Sequence, residues 1–178
     1  MDSQFVAQVC RYIRAKDGHK PHLMDHVFSH NATLEMKVST ANVSFPPIVS
    51  GLPNITETLV RDFHTLYENV YTICLTDTLQ QDNTSLNCRW LVGMTEKSSG
   101  LSRVGYGDYQ WIFEAPDSNL VSRLTIVIDN MIVLSFTDQA AVMSWLEALS
   151  YPWSSSSDVL AAMPHITLLN DVRDHLIN

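Results

Sequence analysis

The chain has 178 residues, of which 46% are hydrophobic and 17% are charged, and its formal net charge is −8 at pH 7. This length predicts one domain that is large enough to bury a substantial core. The acidic balance argues against a nucleic-acid partner, because phosphate recognition needs clustered lysine and arginine, and the sequence contains no basic stripe. No stretch approaches the roughly 20 consecutive apolar residues that span a bilayer, so we expect no membrane partner.

The N-terminal residues and the cysteines indicate the compartment. Residues 1–4 lack the basic region and apolar run of a secretory signal peptide, so we expect a cytoplasmic protein. Cys10, Cys74 and Cys88 are widely spaced and include no CxxC pair. This pattern predicts buried, reduced thiols.

The first third of the chain combines helices with one strand. Residues 3–16 form a predicted helix, and Tyr12 borders its apolar face. A short helix begins at Pro21, and residues 32–39 follow as a strand with alternating apolar and polar side chains. Residues 54–67 form a third helix that we expect to lie against a concave sheet. Its apolar stripe consists of Ile55, Leu59, Phe63 and Leu66.

Four long extended segments in immediate succession form the centre of the chain. Each is rich in β-branched or aromatic residues and is bounded by turn residues: 68–76, 86–97, 101–114 and 120–134. The connections are too short for a crossover helix, so we predict an antiparallel meander. Gly93, Gly105 and Gly107 lie inside these strands and indicate bends that let the sheet curve around a pocket.

The C-terminal part of the chain has helical patterns at residues 137–150, 158–163 and 165–177. We divide the chain into a cone-shaped domain, residues 1–135, and a helical extension, residues 136–178, which packs on the same domain or on a partner subunit. We expect the helix that contains Trp145 to cap the open end of the barrel or to pack on the partner.

Several local strings, in this order, resemble the nuclear transport factor two-like superfamily, which includes SnoaL-like polyketide cyclases and ketosteroid isomerases. They are VCRYI at residues 9–13, DHVFSHNATLE at 25–35, Gly51 with Ile55, and LTIVID at 124–129. The resemblance implies an α+β fold with a deep, mostly apolar pocket. In this fold a curved, mainly antiparallel but mixed sheet wraps around three N-terminal helices to form a cone.

The ketosteroid isomerases of this superfamily need three residues for their reaction. A first-helix tyrosine and a protonated aspartate form an oxyanion hole, and a second aspartate on the first strand moves the proton. Tyr12 stands at the position of that tyrosine. Met36, however, takes the place of the first-strand base, and Tyr109 lies near the position of the other aspartate, with Asp108 one residue away. We therefore do not expect that isomerase reaction.

Two aspartates are candidates for acid–base chemistry. Asp129 ends the last strand, where SnoaL-like sequences commonly carry an acid, and a partly desolvated carboxylate there gains a raised pKa. The alternative is a solvated aspartate in a turn-prone pair with Asn130. Asp108 lies at the glycine-flanked bend, and the alternative there is a cross-strand pair with Arg89 or Arg123 on the outer face.

Apolar and aromatic side chains provide the expected lining of the pocket: Met36, Phe63, Trp90, Tyr109 and Trp111. Such a lining suits a flat apolar ligand, although the same residues also serve as ordinary core. Both faces of the strand at residues 86–97 are apolar, whereas an antiparallel sheet normally presents one polar face to water. We therefore expect a homodimer through the sheet.

Histidines at four-residue spacing raise the question of a metal site: His22, His26 and His30. The polar face of a surface helix explains this set, and the sequence has no HExxH motif, so we expect no metal. Residues 105–107, Gly-Tyr-Gly, are not a phosphate loop because no helix follows them. We expect no cofactor.

Two hypotheses for the function follow. The first is a SnoaL-like cyclase, isomerase or lyase that binds an apolar carbonyl-type, polyketide-like or steroid-like ligand. It would use Asp129 or Asp108 for proton transfer, with Tyr12 as hydrogen-bond donor. The second is a non-catalytic ligand-binding or dimeric interaction module of the same fold. A carboxylate that points into the cavity beside Tyr12 favours the first, and a lining without one favours the second.

Overall fold

The computed structural model describes residues 3–115 and 117–177. The helices are α1 (Gln4–Asp17), α2 (Leu52–Thr56), α3 (Phe63–Leu66), α4 (Gln139–Ala148), α5 (Ser156–Ala162) and α6 (Asn170–Ile177). The strands are β1 (Phe28–Val38), β2 (Ile48–Ser50), β3 (Tyr67–Leu75), β4 (Gln80–Gln81), β5 (Ser85–Glu96), β6 (Ser102–Phe113), β7 (Val121–Val133) and β8 (Trp153–Ser154). A π-helical segment, Glu57–Asp62, joins α2 to α3, so residues 52–66 form one continuous helix.

The described strands form one curved, unclosed mixed sheet. Its order is β2-β1-β7-β6-β5-β3-β8, and β4 pairs with β5. The pairs β3–β5, β5–β6 and β6–β7 are antiparallel, as their short connections predict. Strand β1 runs parallel to β7, its distant neighbour in the sequence. The predicted α+β class with a curved mixed sheet is therefore confirmed.

The sheet bends where β6 and β7 change register. Tyr106 pairs with Asn130 and Gly107 pairs with Ile128, so Asp129 is an extra residue in β7. A Cβ on Gly107 would lie 1.9 Å from a backbone oxygen of β7, so the close approach of the two strands requires glycine. This bulge increases the local twist and helps to curve the sheet.

The concave face of the sheet packs against α1 and the 52–66 helix. The predicted alternation on β1 is present, because Ala32, Leu34 and Met36 are buried in this core. Leu66 differs from the prediction, since its side chain is 56% exposed. Leu66 is the last residue of α3, and β3 begins at the next residue. Because the backbone leaves the helical conformation there, the Leu66 side chain no longer points along the apolar stripe.

The convex face of the sheet is covered by the C-terminal helices of the same chain. One buried cluster joins Ile73, Leu91 and Val104 of the sheet to Val142, Trp145 and Leu146 of α4 and to Val172 of α6. Nε1 of Trp145 donates a hydrogen bond of 3.0 Å to the backbone oxygen of Val159, which ties α4 to α5. The helix that contains Trp145 therefore packs on the outer face, and the expectation that it caps the barrel is wrong.

This packing also bears on the expected homodimer. The apolar outer face that motivates a dimer through the sheet already has a partner within the chain. The homodimer and the division of the chain after residue 135 stay predictions. In the described part of the chain, no helix is both long and apolar enough to cross a membrane.

The three cysteines are free thiols. Cys74 and Cys88 are buried, as predicted, whereas Cys10 is half-buried. Burial raises the pKa of Cys74, and the neighbouring Cys88 raises it further, so this thiol stays protonated. Cys74 and Cys88 therefore behave as small apolar core residues.

Candidate functional site

An inner cavity of about 50 Å³ lies between α1, the 52–66 helix and the concave face of the sheet. Its walls are Tyr12, Lys16, Met36, Val43, Phe45, Leu59, Phe63, Thr72, Trp90, Val92, Met94, Tyr109, Ile126, Ile128 and Met131. A water molecule needs roughly 10–15 Å³ of such a cavity. The space therefore accommodates only a few non-hydrogen atoms, and almost all of its wall is apolar.

Tyr12 contributes a polar atom to this wall. Its side chain is fully buried, and its ring meets those of Phe28, Tyr109 and Trp111 edge-on at centroid distances of 6.2, 6.0 and 5.0 Å. Its hydroxyl makes no hydrogen bond of good geometry in the described structure, although the side chain of Tyr109 lies close enough to interact with it. Burial raises the pKa of Tyr12 far above the usual range, and Tyr109 offsets part of this rise. The phenol is therefore protonated and remains a hydrogen-bond donor.

Four of the five residues predicted to contact a ligand line the inner cavity: Met36, Phe63, Trp90 and Tyr109. Trp111 is not part of the lining, because it is fully buried against Tyr12. The ring of Trp90 stacks on that of Tyr109 with centroids 5.5 Å apart. Its Nε1 atom also lacks a hydrogen-bond partner within the described chain. A role for these residues in ligand binding stays a prediction.

Lys16 is a lining residue that the sequence reasoning missed. Only 8% of its side chain is exposed, and its Nζ donates to Oδ1 of Asp17 at 2.7 Å and to Oγ1 of Thr72 at 2.9 Å. The same Nζ lies 4.9 Å from the centre of the Phe63 ring. The four-residue spacing from Tyr12 could have indicated a shared helix face. A lysine in the last turn of a helix is, however, more typical of an exposed position.

Asp17 is the counter-ion of Lys16 and joins three parts of the chain. Its carboxylate accepts hydrogen bonds from the backbone N–H of Thr72 at 2.7 Å and from the hydroxyl of Tyr151 at 2.9 Å. The network thus connects α1, β3 and the segment that precedes β8. Because the two charges are buried, each needs the other to offset its lost hydration.

The two candidate acids lie outside the inner cavity. Side chains alternate along β6, and since Tyr109 points inward, Asp108 faces outward, opposite Arg89 on β5. The bulge in β7 leaves Asp129 on the same outer face, in a cleft that also contains Arg89. Neither carboxylate therefore lines the inner cavity beside Tyr12, and the alternative of an outer-face partner for Asp108 agrees with the register. A catalytic role for Tyr12, Asp108 or Asp129 stays a prediction.

Helix α6 packs beside this outer face and brings His175 close to both acids. The ring centroids of His175 and Tyr106 are 4.4 Å apart, and Nε2 of the histidine is buried with no hydrogen-bond partner in the described structure. Burial raises the pKa of Asp108, and the charge of Asp129 raises it further. Burial lowers the pKa of His175, and Arg89 lowers it further. The guanidinium of Arg89 donates a hydrogen bond of 3.0 Å to the backbone oxygen of His175, which joins α6 to β5.

A mouth pocket of about 360 Å³ adjoins the inner cavity. Val43, Phe45 and Phe63 line both spaces. The remaining walls of the mouth pocket combine apolar and polar side chains: Ala41, Asn42, Ser44, Pro46, Thr58, Asp62, Leu66, Tyr67, Glu96 and Arg103. The two spaces are therefore neighbouring compartments that share one wall.

The three histidines considered as metal ligands do not share a helix face. His22 and His26 lie on the exposed turn Pro21–His26, whereas His30 lies on β1. Within residues 3–115 and 117–177, no three His, Cys, Asp or Glu side chains are grouped to hold a metal ion.

Comparison with known proteins identifies the architecture. No protein-family model matches the chain, and no curated protein sequence matches it. An NTF2-like protein of unknown function from Exiguobacterium aligns with a TM-score of 0.53 at 16% identity, over 69% of this chain and 98% of that one. A hypothetical protein with a ketosteroid isomerase-like fold from Catenulispora acidiphila, in complex with trimethylamine, aligns with a TM-score of 0.55 at 10% identity, over 70% and 85%. The chain has the NTF2-like fold.

A third structural neighbour is an LEH-like epoxide hydrolase of M. tuberculosis, with a TM-score of 0.53 at 9% identity over 70% of this chain and 82% of that one. At these identities the likeness establishes the NTF2-like fold alone. The superfamily resemblance in the sequence is thereby confirmed for the fold. What the NTF2-like cone of this chain does must be inferred from its own cavity and side chains.

Proposed function

We propose that this chain is a non-catalytic binding protein for a small, largely apolar molecule that carries one hydrogen-bond acceptor and lies in the inner cavity. The hydroxyl of Tyr12 carries this proposal, because it is fully buried in the cavity wall and makes no hydrogen bond of good geometry in the described structure, even to the neighbouring Tyr109. An unpaired buried donor costs about 1–3 kcal/mol. A carbonyl or ether oxygen in the cavity would recover that free energy, so a ketone should bind better than a hydrocarbon of equal size.

The rest of the wall supports an uncharged ligand. Lys16 and Asp17 neutralise each other at 2.7 Å, so the wall presents little net charge. A volume of about 50 Å³ limits the ligand inside the inner cavity to a few non-hydrogen atoms.

The same wall supports binding over catalysis. Proton transfer by a cyclase, isomerase or lyase needs a base within hydrogen-bond reach of the ligand. No lining residue in the described part of the chain carries a carboxylate or an imidazole. Lys16 is engaged as an ion-pair partner of Asp17, and Asp108 and Asp129 are on the other side of the sheet.

Methionine methyl NMR provides a direct test, because Met36, Met94 and Met131 line the inner cavity. Butanone and isopentane are matched in size, but only butanone has an acceptor. We expect butanone to shift these three methyl signals and to bind more tightly than isopentane. Tyr12→Phe should weaken butanone binding about three- to tenfold and leave isopentane unchanged.

Tyr106→Phe is the matched control, since this tyrosine lies on the outer face and should leave both affinities unchanged. Tyr12→Phe should lower the free energy of unfolding by less than about 1 kcal/mol, because the hydroxyl makes no hydrogen bond of good geometry in the described structure. Equal affinities for butanone and isopentane, or a Tyr12→Phe variant that binds butanone as the parent does, would contradict the proposed function.

A further inference from the structure

The wall between the inner cavity and the mouth pocket consists of side chains that could swing away. Val43 and Phe45 belong to the mouth loop, residues 39–47, which connects β1 to β2 without helix or strand. The third shared residue, Phe63, is fixed in α3. Displacement of the two loop side chains would therefore join a space of about 50 Å³ to one of about 360 Å³.

The mouth loop is anchored at its two ends. The backbone N–H of Ser39 donates to the oxygen of Ile128 at 2.9 Å, and the N–H of Met36 donates to the oxygen of Pro47 at 2.9 Å. Residues 41, 42, 44, 46 and 47 are exposed. A loop with fixed ends and an exposed centre can move locally without disturbing the sheet.

Asn42 joins the centre of this loop to the sheet by hydrogen bonds. Its Nδ2 donates to the backbone oxygen of Met131 at 2.7 Å, and its own backbone oxygen accepts a hydrogen bond from the guanidinium of Arg103. Loss of the side-chain bond would favour a conformation in which Val43 and Phe45 leave the shared wall.

The mouth pocket selects against an anionic occupant. Arg103 pairs with Glu96 at 2.7 Å, and the carboxyl group of Asp62 also lines the space. Because Glu96 neutralises Arg103, an anion would face the charge of Asp62. By contrast, Leu66 offers an apolar surface there that is 56% exposed. The pocket therefore suits an uncharged apolar chain.

We propose that the mouth loop is a gate and that the ligand is an uncharged, medium-chain carbonyl compound. Its carbonyl end accepts a hydrogen bond from Tyr12 in the inner cavity, and its chain passes the displaced Val43 and Phe45 into the mouth pocket beside Leu66. This gate rests on the function proposed above, since it requires that a carbonyl group enter the inner cavity. It adds the chain length of the ligand and the segment that admits it.

The test compares a short and a long methyl ketone, butanone and 2-nonanone, by the methyl signals of Met36, Met94 and Met131. Nonanone should bind at least about tenfold more tightly than butanone, because its additional methylene groups leave water. Asn42→Ala should tighten nonanone binding about three- to tenfold, because the open conformation becomes more populated. It should leave butanone binding unchanged, since the short ketone fits behind the closed gate.

Asn54→Ala is a matched control, because Asn54 also donates to a backbone oxygen, that of Ser50 at 2.9 Å, but lies outside the mouth. It should change neither affinity. Phe45→Ala is a second gate variant and should also tighten nonanone binding. If nonanone binds the parent and both gate variants with equal affinity, the gate is contradicted and the proposed function is not. The same holds if butanone binds and nonanone does not. Failure of both ketones to shift the three signals in every variant would overturn the proposed function with it.

Discussion

Gly93 of β5 and Leu146 of α4 pack so closely that a Cβ on residue 93 would lie 2.1 Å from Cδ1 of Leu146. The glycine leaves a notch in the convex face of the sheet, and the leucine fills it. Since this contact lies in the buried cluster that joins the sheet to the C-terminal helices, it helps to determine how the outer face is covered.

Gly93→Ala should lower the free energy of unfolding by about 1–3 kcal/mol, because the added methyl group overpacks this notch. In a Leu146→Ala background the same change should cost less than about 0.5 kcal/mol, since the clashing side chain is gone. Urea unfolding of the four variants measures this coupling. Gly107→Ala is the contrasting case, because its Cβ would meet backbone, and side-chain truncation cannot relieve that clash. Additive losses for Gly93→Ala and Leu146→Ala would contradict the assigned contact.

Asp17→Asn should destabilise the fold by about 3–5 kcal/mol, because it leaves the buried ammonium of Lys16 without a counter-ion. The double variant Lys16→Met/Asp17→Asn should lose less, since no buried charge then remains unpaired. Chemical denaturation measures both losses.

The exposed pair of Arg61 and Glu57 provides the control for this ion pair, with a separation of 3.3 Å. Glu57→Gln should change the stability by no more than about 0.5 kcal/mol. The opposite result, a Lys16→Met/Asp17→Asn variant less stable than Asp17→Asn, would contradict this expectation. It would show that the ion pair contributes more to stability than the neutralisation of two buried charges.

The stability of the fold should fall as the pH drops from about 7.5 to about 5.5, and His175 should contribute to this fall. Burial, with a further contribution from Arg89, lowers the pKa of His175 in the folded state, and Asp129 and Asp108 offset only part of the shift. The unfolded state therefore binds more protons as the pH passes the ordinary histidine value of about 6.5, which favours unfolding. Urea unfolding at several pH values should give a shallower dependence for His175→Gln than for the parent.

His64 acts in the same direction, because burial also lowers its pKa. A His64→Gln/His175→Gln variant should consequently show a shallower dependence than either single variant. His22→Gln, at an exposed position of the Pro21–His26 turn, is the control. Identical pH dependence in the parent and His175→Gln would refute the contribution of the α6 histidine.

Trp145→Ala should cost about 3–5 kcal/mol, because a large buried side chain and its hydrogen bond to Val159 are both lost. Phe136→Ala should be nearly neutral, since that ring is 67% exposed. A chain that ends at Leu134 should lose its fold or self-associate, because the apolar outer face becomes exposed. Light scattering and circular dichroism measure this outcome, and an unchanged, soluble truncated chain would contradict it.

The strands of the meander could be predicted from the sequence to within one or two residues at each end. The predicted strand at residues 86–97 is Ser85–Glu96 in the structure, and 120–134 is Val121–Val133. Enrichment in β-branched and aromatic residues and the flanking turns are local signals, so they identify a strand before its partners are known. The start of β1 at Phe28, four residues before the predicted start, was missed because its first part does not alternate cleanly.

The facing of individual side chains was less predictable. Met36 and Tyr109 were correctly assigned to the cavity wall, whereas Asp108 and Asp129 face the other side of the sheet. The side of a strand that faces inward depends on its pairing register, and the bulge at Asp129 shifts that register without a recognisable sequence signal. Lys16 was missed because its burial depends on Asp17 and on a residue of β3 far along the chain.

The amino-acid sequence by itself determined the main helices and long strands, their order, the antiparallel meander and the tyrosine of the first helix that reaches the core. These features depend on local periodicity and on short connections, which are properties of neighbouring residues. Only the tertiary structure decided that the C-terminal helices cover the outer face, that both candidate acids lie on that face, and that Tyr12 and Lys16 line the same apolar cavity. Each of these features depends on which distant surfaces pack together. An apolar surface can be buried by any partner of complementary shape, so the local sequence pattern does not specify the partner.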